Sequence, residues 1–210
     1  MKIAVVGATG RTGLQVAQQA LARGDDVIAL ARHPEALPRP GPRMVSAAAD
    51  ALDRASVSAA LAGADAVVSA LGIGASRQPT LVYSEGIANV LHAMDAHRIK
   101  KLAVISAAPA GPRAEQPFLQ RHLAMPILER IFGATYEDMR RMEALLRGSD
   151  AGWVCLRPPR LISKKATGRY RLDTRPLPKA RSITFADLAT ALLDSLDRPD
   201  LYRQAAYVAG

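Results

Sequence analysis

Short apolar runs alternate with longer stretches of helical spacing along most of the chain. Residues 2–6, Lys-Ile-Ala-Val-Val, form a β-branched run that stops at a glycine turn; Leu14, Ala17 and Leu21 then repeat at helical spacing as far as Gly24, a natural C-terminal stop. Residues 27–31 are again short and apolar, bounded by Asp25-Asp26 and by Arg32-His33-Pro34, so the opening reads as a βαβ unit of about 30 residues. The rhythm continues with strands expected at 43–49, 66–71, 101–107 and 152–157, and helices at 53–61 and 81–97, the second carrying Ile87, Val90, Leu91 and Met94 at helical spacing. Two more helices are expected at 118–132 and 137–147, the first broken at Pro126, whose ring and missing N–H disturb a helix interior. Strands that alternate with helices in this way predict an α/β fold: one doubly wound, mostly parallel sheet with helices on both faces.

The pattern weakens near the end. Residues 160–182 are basic, rich in Pro and Gly and weakly periodic, which predicts an irregular excursion over the active face. Thr184 is placed to cap a helix running to about residue 196, with Asp187 near its positive end, and residues 202–209 are expected to close the sheet as a last, edge strand.

Composition narrows the class. A chain of 210 residues, 49% hydrophobic and 22% charged, can form one sizeable core, and nothing marks a second domain, so residues 1–210 are taken as a single domain. Aromatics are only 4%, so Ala, Val, Leu and Ile must fill the interior. No apolar run approaches the roughly 20 residues that span a bilayer, and residues 1–6 lack the pattern of a signal peptide. The single cysteine, Cys155, sits in an apolar run and can form no intrachain disulfide; a reduced, cytoplasmic protein is the simplest expectation. The net charge of +9 would suit a nucleic-acid binder, but Lys and Arg are scattered along the chain, which favours a basic surface that attracts an anionic cofactor. The histidines His92, His97 and His122 fall in expected helices without a second ligand at metal spacing, so no metal site is assigned.

Chemistry concentrates first in Gly7-Ala8-Thr9-Gly10-Arg11-Thr12-Gly13. Parallel strands bring their carboxyl ends to one edge, where such sheets bind ligands. Gly7 permits a tight exit from the strand, Gly10 clears the approach of a pyrophosphate to the backbone, and Gly13 lets the helix pack close to the sheet. The unpaired N–H groups of the first helical turn then point at phosphate, with Arg11 and the hydroxyls of Thr9 and Thr12 nearby. The Gly-x-x-Gly-x-x-Gly spacing departs from the commoner Gly-x-Gly-x-x-Gly and is weak in isolation; its place between the first strand and the first helix is what gives it weight.

The end of the second strand bears on the choice of cofactor. An NAD-selective site usually places a carboxylate there for the ribose hydroxyls; this chain places Arg32, followed by His33. A guanidinium can grip a 2′-phosphate with paired hydrogen bonds, so NADP(H) is expected ahead of NAD(H), the alternative being a solvated surface arginine. Asp50 and Ala51 follow the third strand, where a carboxylate and a backbone N–H can meet the adenine edge. Leu71 and Gly72 follow the fourth, where glycine lets the chain pass close to the ribose. Each of these four also reads as an ordinary strand-end residue.

With those residues in place, the chain resembles the atypical short-chain dehydrogenase/reductase superfamily, in the NAD(P)H-binding group that includes flavin reductase/biliverdin reductase B and NmrA-like proteins. Beside the glycine turn, the resemblance rests on Leu30-Ala31-Arg32, Ser84-Glu85-Gly86, Ser106-Ala107 and Arg157-Pro158-Pro159. It implies a Rossmann-like domain with NADPH stretched across the strand ends. Ser106 matches the family's serine near nicotinamide and substrate, with Ala107 beside it, and Arg157, Pro158 and Pro159 match the segment along the nicotinamide.

There are departures. The Tyr-x-x-x-Lys pair of ordinary short-chain dehydrogenases, in which lysine lowers the tyrosine pKa, has only Tyr136-x-x-x-Arg140 as its counterpart, and Tyr136 reads equally well as a packed helix residue. Glu143 stands where the bilin-reducing member has a histidine, which argues against bilin reduction. The expected function is NADPH-dependent hydride transfer to a small planar acceptor such as a flavin or quinone, with Ser106 donating a hydrogen bond and Tyr136 a second catalytic candidate. The alternative is a non-catalytic NADP(H)-binding regulator; sugar-nucleotide epimerisation or dehydration ranks third. The expected partner is a small-molecule substrate, with neither membrane nor nucleic acid, on a monomer or small homo-oligomer.

Overall fold

A computed structural model describes residues 1–37, 41–74, 76, 78–115 and 125–210. Its centre is an eight-stranded sheet. In chain order the strands are β1 (Lys2–Val6), β2 (Asp26–Ala31), β3 (Met44–Ala48), β4 (Ala66–Ser69), β5 (Lys101–Ile105), β6 (Gly152–Arg157), β7 (Arg160–Ile162), β8 (Arg171–Asp173), β9 (Ser182–Thr184) and β10 (Gln204–Ala209). The large sheet runs β3-β2-β1-β4-β5-β6-β10-β8, parallel except for β8, which pairs antiparallel with β10; β7 and β9 form a separate parallel pair. The strand order reverses direction between β1 and β4, so the β1 and β4 carboxyl ends flank a crevice. Val6 pairs with Leu30 on one side and with Ser69 on the other, which places the glycine turn at that crevice.

Among the described residues five helices cover the sheet: α1 (Arg11–Ala22), α2 (Arg54–Leu61), α3 (Val82–Ala96), α4 (Met125–Arg147) and α5 (Phe185–Ser195). On one face α1 and α5 pack together through Val16, Ala17, Ala20, Leu188 and Leu192, all buried. Two hydrogen bonds cross their seam: Gln19 Nε2 donates to the Ala186 carbonyl at 2.9 Å, and the Thr190 hydroxyl donates to Gln19 Oε1 at 2.9 Å. On the other face α2, α3 and α4 bury Leu61, Ile87, Met94, Met142 and Leu146 against Val67, Leu102 and Trp153. Each fully buried aliphatic side chain of this kind contributes about 1.5–3 kcal/mol relative to exposure.

The expected doubly wound sheet is present, and the ends of its helices follow their sequence signals. Asp53 caps α2 by accepting from the Ala55 N–H at 3.0 Å, and Thr184 caps α5 by accepting from the Asp187 N–H at 2.9 Å. Three expectations need correction. Residues 125–147 form one helix, not two, and Pro126 is the second residue of α4, where a missing N–H costs nothing; residues 116–124, including His122, lie outside the described residues. The 160–182 stretch is not wholly irregular, since β7 and β8 lie within it and β9 begins at its end. The last strand is not at the edge, because β8 returns alongside β10 and covers it.

Candidate functional site

A cleft of about 900 Å³ opens at the carboxyl ends of β1, β2, β3, β4 and β5. One end of it is the glycine turn. Gly7 has φ of +82°, in the left-handed region, and a Cβ there would lie 2.8 Å from the Ala70 carbonyl oxygen. A Cβ on Gly13 would lie 2.2 Å from the Gly7 carbonyl oxygen, so only glycine lets α1 start this close to β1. Gly10 is the N-cap residue of α1 and offers no side-chain cap, and the first turn has no acidic residue, so the free N–H groups of that turn face the cleft without a competing anion. This uncapped, positively polarised turn fits a pyrophosphate.

Arg11 leans over the same end, with its guanidinium carbon 5.4 Å from the centre of the Phe185 ring and Nη1 donating to the Ser163 hydroxyl at 3.3 Å. That contact ties α1 to the stretch after β7. At the far side of the crevice Arg32 is exposed, lines the cleft and forms no hydrogen bond or ion pair among the described residues, so its five donors are available to an anion.

The turn after β3 is held to α3. The Asp50 carboxylate accepts from the Leu52 N–H at 3.0 Å, and the Ala51 carbonyl accepts from Asn89 Nδ2 of α3 at 2.9 Å. Gly86, one turn before Asn89, brings α3 so close that a Cβ would lie 2.7 Å from a Leu71 methyl carbon. The start of α3 is held from α4: Asp138, buried, accepts from the Tyr83 N–H at 2.9 Å and from the Ser84 hydroxyl. Asp138 thereby supplies the cap that Leu81, the N-cap residue of α3, lacks.

At the opposite end β5 and β6 deliver Ser106, Ala107, Pro158 and Pro159. The Ser106 N–H donates to the Leu156 carbonyl at 2.8 Å and the Ala108 N–H to the Pro158 carbonyl at 2.8 Å, locking the two strand ends together. The Ser106 hydroxyl donates to Glu143 Oε1 at 2.8 Å, and Arg157 binds both oxygens of the same carboxylate, Nε at 3.0 Å and Nη2 at 2.6 Å. All three side chains are buried. Burial works against the Arg157 charge, but the bonds to Glu143 outweigh it and raise its pKa above the ordinary arginine value. The guanidinium also lies 5.2 Å from the centre of the Tyr207 ring. Behind this pair is a second cavity of about 620 Å³, walled by Arg113, Glu129, Arg140, Arg147 and Arg157 among others.

The cleft thus brings together Gly7, Thr9, Gly10, Arg11, Thr12, Arg32, Asp50, Ala51, Leu71, Gly72, Ser106, Ala107, Pro158 and Pro159. Gly13 stands behind the turn as a packing residue. Four expectations change. Ser106 does not have its proton free to donate into the cleft, since Glu143 accepts it. His33 points to solvent and pairs with Glu35 at 3.2 Å. Arg157 faces α4 and the second cavity, because alternation along β6 puts it on the side of Trp153 and Cys155. Tyr136 lies on α4 against Phe132, with ring centres 6.2 Å apart, and does not line the cleft; burial raises its pKa, the opposite of what a proton-relay tyrosine needs, while Arg140 pairs with Glu129 and Glu137. The residues that sequence reasoning missed are Asn89, a polar residue on the buried side of α3, Asp138, and Glu143 as the partner of Ser106.

Comparison with known proteins bears on this geometry. A family model described as NAD(P)H-binding matches residues 7–199, from the glycine turn to beyond α5. The chain belongs to this NAD(P)H-binding family. Solved structures share its architecture. A Burkholderia pseudomallei protein whose description calls it exported is 28% identical, with all of both chains covered and a TM-score of 0.80. The oxidoreductase ylbE from Lactococcus lactis is 19% identical over 100% of this chain and 91% of its own, with a TM-score of 0.82. A short-chain dehydrogenase/reductase from Veillonella parvula, solved in complex with NADP, is 15% identical over 100% of this chain and 94% of its own, with a TM-score of 0.80. An NAD(P)H-binding chain with this Rossmann-like fold accounts for the sheet, the uncapped turn and the cleft together. Among the described residues no group of three or more His, Cys, Asp or Glu is arranged to hold a metal, and no helix is long and apolar enough to cross a membrane.

Proposed function

We propose that this family member is an NADPH-dependent oxidoreductase acting on a small planar acceptor such as a flavin or quinone. The observation that carries the reading is the end of the cleft beyond Ser106, where Ile105, Ala107, Met139, Pro158, Pro159 and Leu161 make an apolar wall whose polar group is a serine already bonded to Glu143. Such a wall suits a flat apolar ring, and a serine whose proton is held elsewhere suits an acceptor that needs no proton from the protein, solvent supplying it afterwards. When bound, the cofactor supplies the hydride. The protein's residues bind and orient: the α1 turn and Arg11 hold the pyrophosphate, Arg32 the 2′-phosphate, Asp50 and Ala51 the adenine, and Pro158 and Pro159 bound the nicotinamide. Residues 160–182, anchored by Asp187, cover the site and limit water. The whole chain acts as one domain, and the buried Cys155 supports a reducing, cytoplasmic setting.

The engaged Ser106 proton also suits a regulator that binds NADPH without turnover. Calorimetric titration of NADPH and NADH, on wild type and Arg32→Ala, followed by an acceptor screen with flavins and quinones, separates the readings. A charge-assisted contact worth about 1.5–3 kcal/mol predicts an about ten- to hundredfold loss of NADPH affinity in Arg32→Ala, with NADH unaffected. Turnover of a flavin or quinone supports the reductase, tight binding without turnover supports the regulator, and equal NADPH affinity in both proteins refutes the role of Arg32.

A further inference from the structure

The Ser106 hydroxyl is not a free donor. The Ser106 hydroxyl has one proton, and the group at 2.8 Å from it is a carboxylate oxygen, which can only accept, so the direction of that bond is fixed. Glu143 cannot turn away to release it, because Arg157 grips both of its oxygens, at 3.0 and 2.6 Å, and Arg147 approaches Oε2 at 3.7 Å. The N–H groups of Ser106 and Ala108 are spent on the carbonyls of Leu156 and Pro158, and Pro158 and Pro159 have none; the N–H of Ala107 has no partner among the described residues. With its proton committed to Glu143, the Ser106 oxygen has only lone pairs left for a ligand.

We propose that Glu143 is a positioning residue that makes Ser106 an obligate hydrogen-bond acceptor, so that this end of the cleft selects a ring substituent carrying an N–H donor, the carboxamide of a nicotinamide. This rests on the reading of the cleft as an NADP(H) site. The carboxamide has a carbonyl on one side and an NH2 group on the other. An acceptor-only serine fixes which of the two faces Ser106. A serine with a free proton could satisfy either orientation.

The test compares binding of NADP+ with that of its 3-acetylpyridine analogue, in which a methyl group replaces the carboxamide NH2, using calorimetry on wild type, Ser106→Ala, Glu143→Met/Arg157→Met and Glu143→Gln. Wild type is expected to prefer NADP+ by about five- to tenfold, or about 1.0–1.4 kcal/mol. Ser106→Ala should bring the ratio close to one. Glu143→Met/Arg157→Met should do the same, because it removes the acceptor and its guanidinium partner together and frees the hydroxyl to donate to the analogue's carbonyl. Glu143→Gln alone keeps an oxygen where Ser106 and Arg157 Nε both donate and should retain the preference. Arg32→Ala should weaken both ligands by the same factor and leave the ratio intact, a behaviour that a merely structural role for Ser106 would share. A ratio unchanged in Ser106→Ala, or retained in Glu143→Met/Arg157→Met while lost in Ser106→Ala, overturns the proposal. Failure of wild type to bind either dinucleotide overturns the reading of the cleft itself, and this inference with it.

Discussion

Replacing Gly13 by alanine puts a methyl group where the turn has no room for one. The added Cβ would lie 2.2 Å from the Gly7 carbonyl oxygen, 2.9 Å from the Gly7 carbonyl carbon and 3.0 Å from the Ala8 Cα. All three are backbone atoms, so no side chain can swing aside; α1 must back away from β1 by about 1 Å to reach ordinary contact. In a helix with space around it the same change is favourable by up to about 1 kcal/mol, since alanine loses less backbone entropy. Overpacking of this kind costs about 1–3 kcal/mol, so the net loss reaches about 2 kcal/mol. For a chain of this size that is a fall in Tm of about 4–8 °C. The retreat also moves the first-turn N–H groups off the phosphate position, and NADPH affinity should drop by more than about tenfold. Gly133 is the control: it sits inside α4 with nothing within 4 Å of an added Cβ, so Gly133→Ala should gain about 0.5–1 kcal/mol and leave NADPH binding alone. Urea unfolding followed by far-UV circular dichroism gives the stabilities, and NADPH titration gives the affinities. A Gly13→Ala protein as stable as wild type, with the same NADPH affinity, would refute the steric argument.

Two other predictions concern groups away from the turn. Burial acts to raise the pKa of Asp187, but hydrogen bonds from the Thr167 and Gly168 N–H groups and from the Thr167 and Thr184 hydroxyls outweigh it and hold the carboxyl below its ordinary value. Its contribution is therefore fully present above the ordinary carboxyl pKa of about 3.9 and is lost as pH falls through the lower folded value. Proteolysis of the 160–182 stretch should accelerate on acidification in that range, and Asp187→Asn should show the fast rate already at pH 7, at a cost of about 1.5–3 kcal/mol; identical rates in both proteins at pH 7 count against the anchor. Cys155 is buried, and burial first, then the neighbouring Glu143 charge, pushes its thiol pKa well up. A thiol reagent should label it only at the global unfolding rate, measured in urea, and fast labelling of native protein would contradict the packing of β6.

Local rules made much of this protein legible. The glycine turn and the beginning of α1 are set by backbone conformation and close approach within Gly7 to Gly13, so three glycines between the first strand and the first helix make the turn legible. The caps Asp53 and Thr184 act within three residues of themselves and could be read for the same reason. Alternating apolar runs identified the parallel strands, and Arg32 followed from the end of β2. Period-two alternation could also have turned Arg157 away from the cleft, since it shares a face with Trp153 and Cys155.

The rest was decided by tertiary contacts. Ser106 and Glu143 are 37 residues apart and meet only when α4 packs over β5 and β6; Asn89 reaches Ala51 across 38 residues, and Asp187 reaches Thr167 across 20. The position of β10 inside the sheet depends on where β8 returns, which no periodicity encodes. A hydrogen bond between distant residues leaves no trace in local spacing, because each partner's side-chain direction is fixed by its own strand or helix and their meeting by the packing of the two. The amino-acid sequence alone therefore determined the glycine turn and the α/β alternation around it, and the assembled fold decided which way the Ser106 proton points.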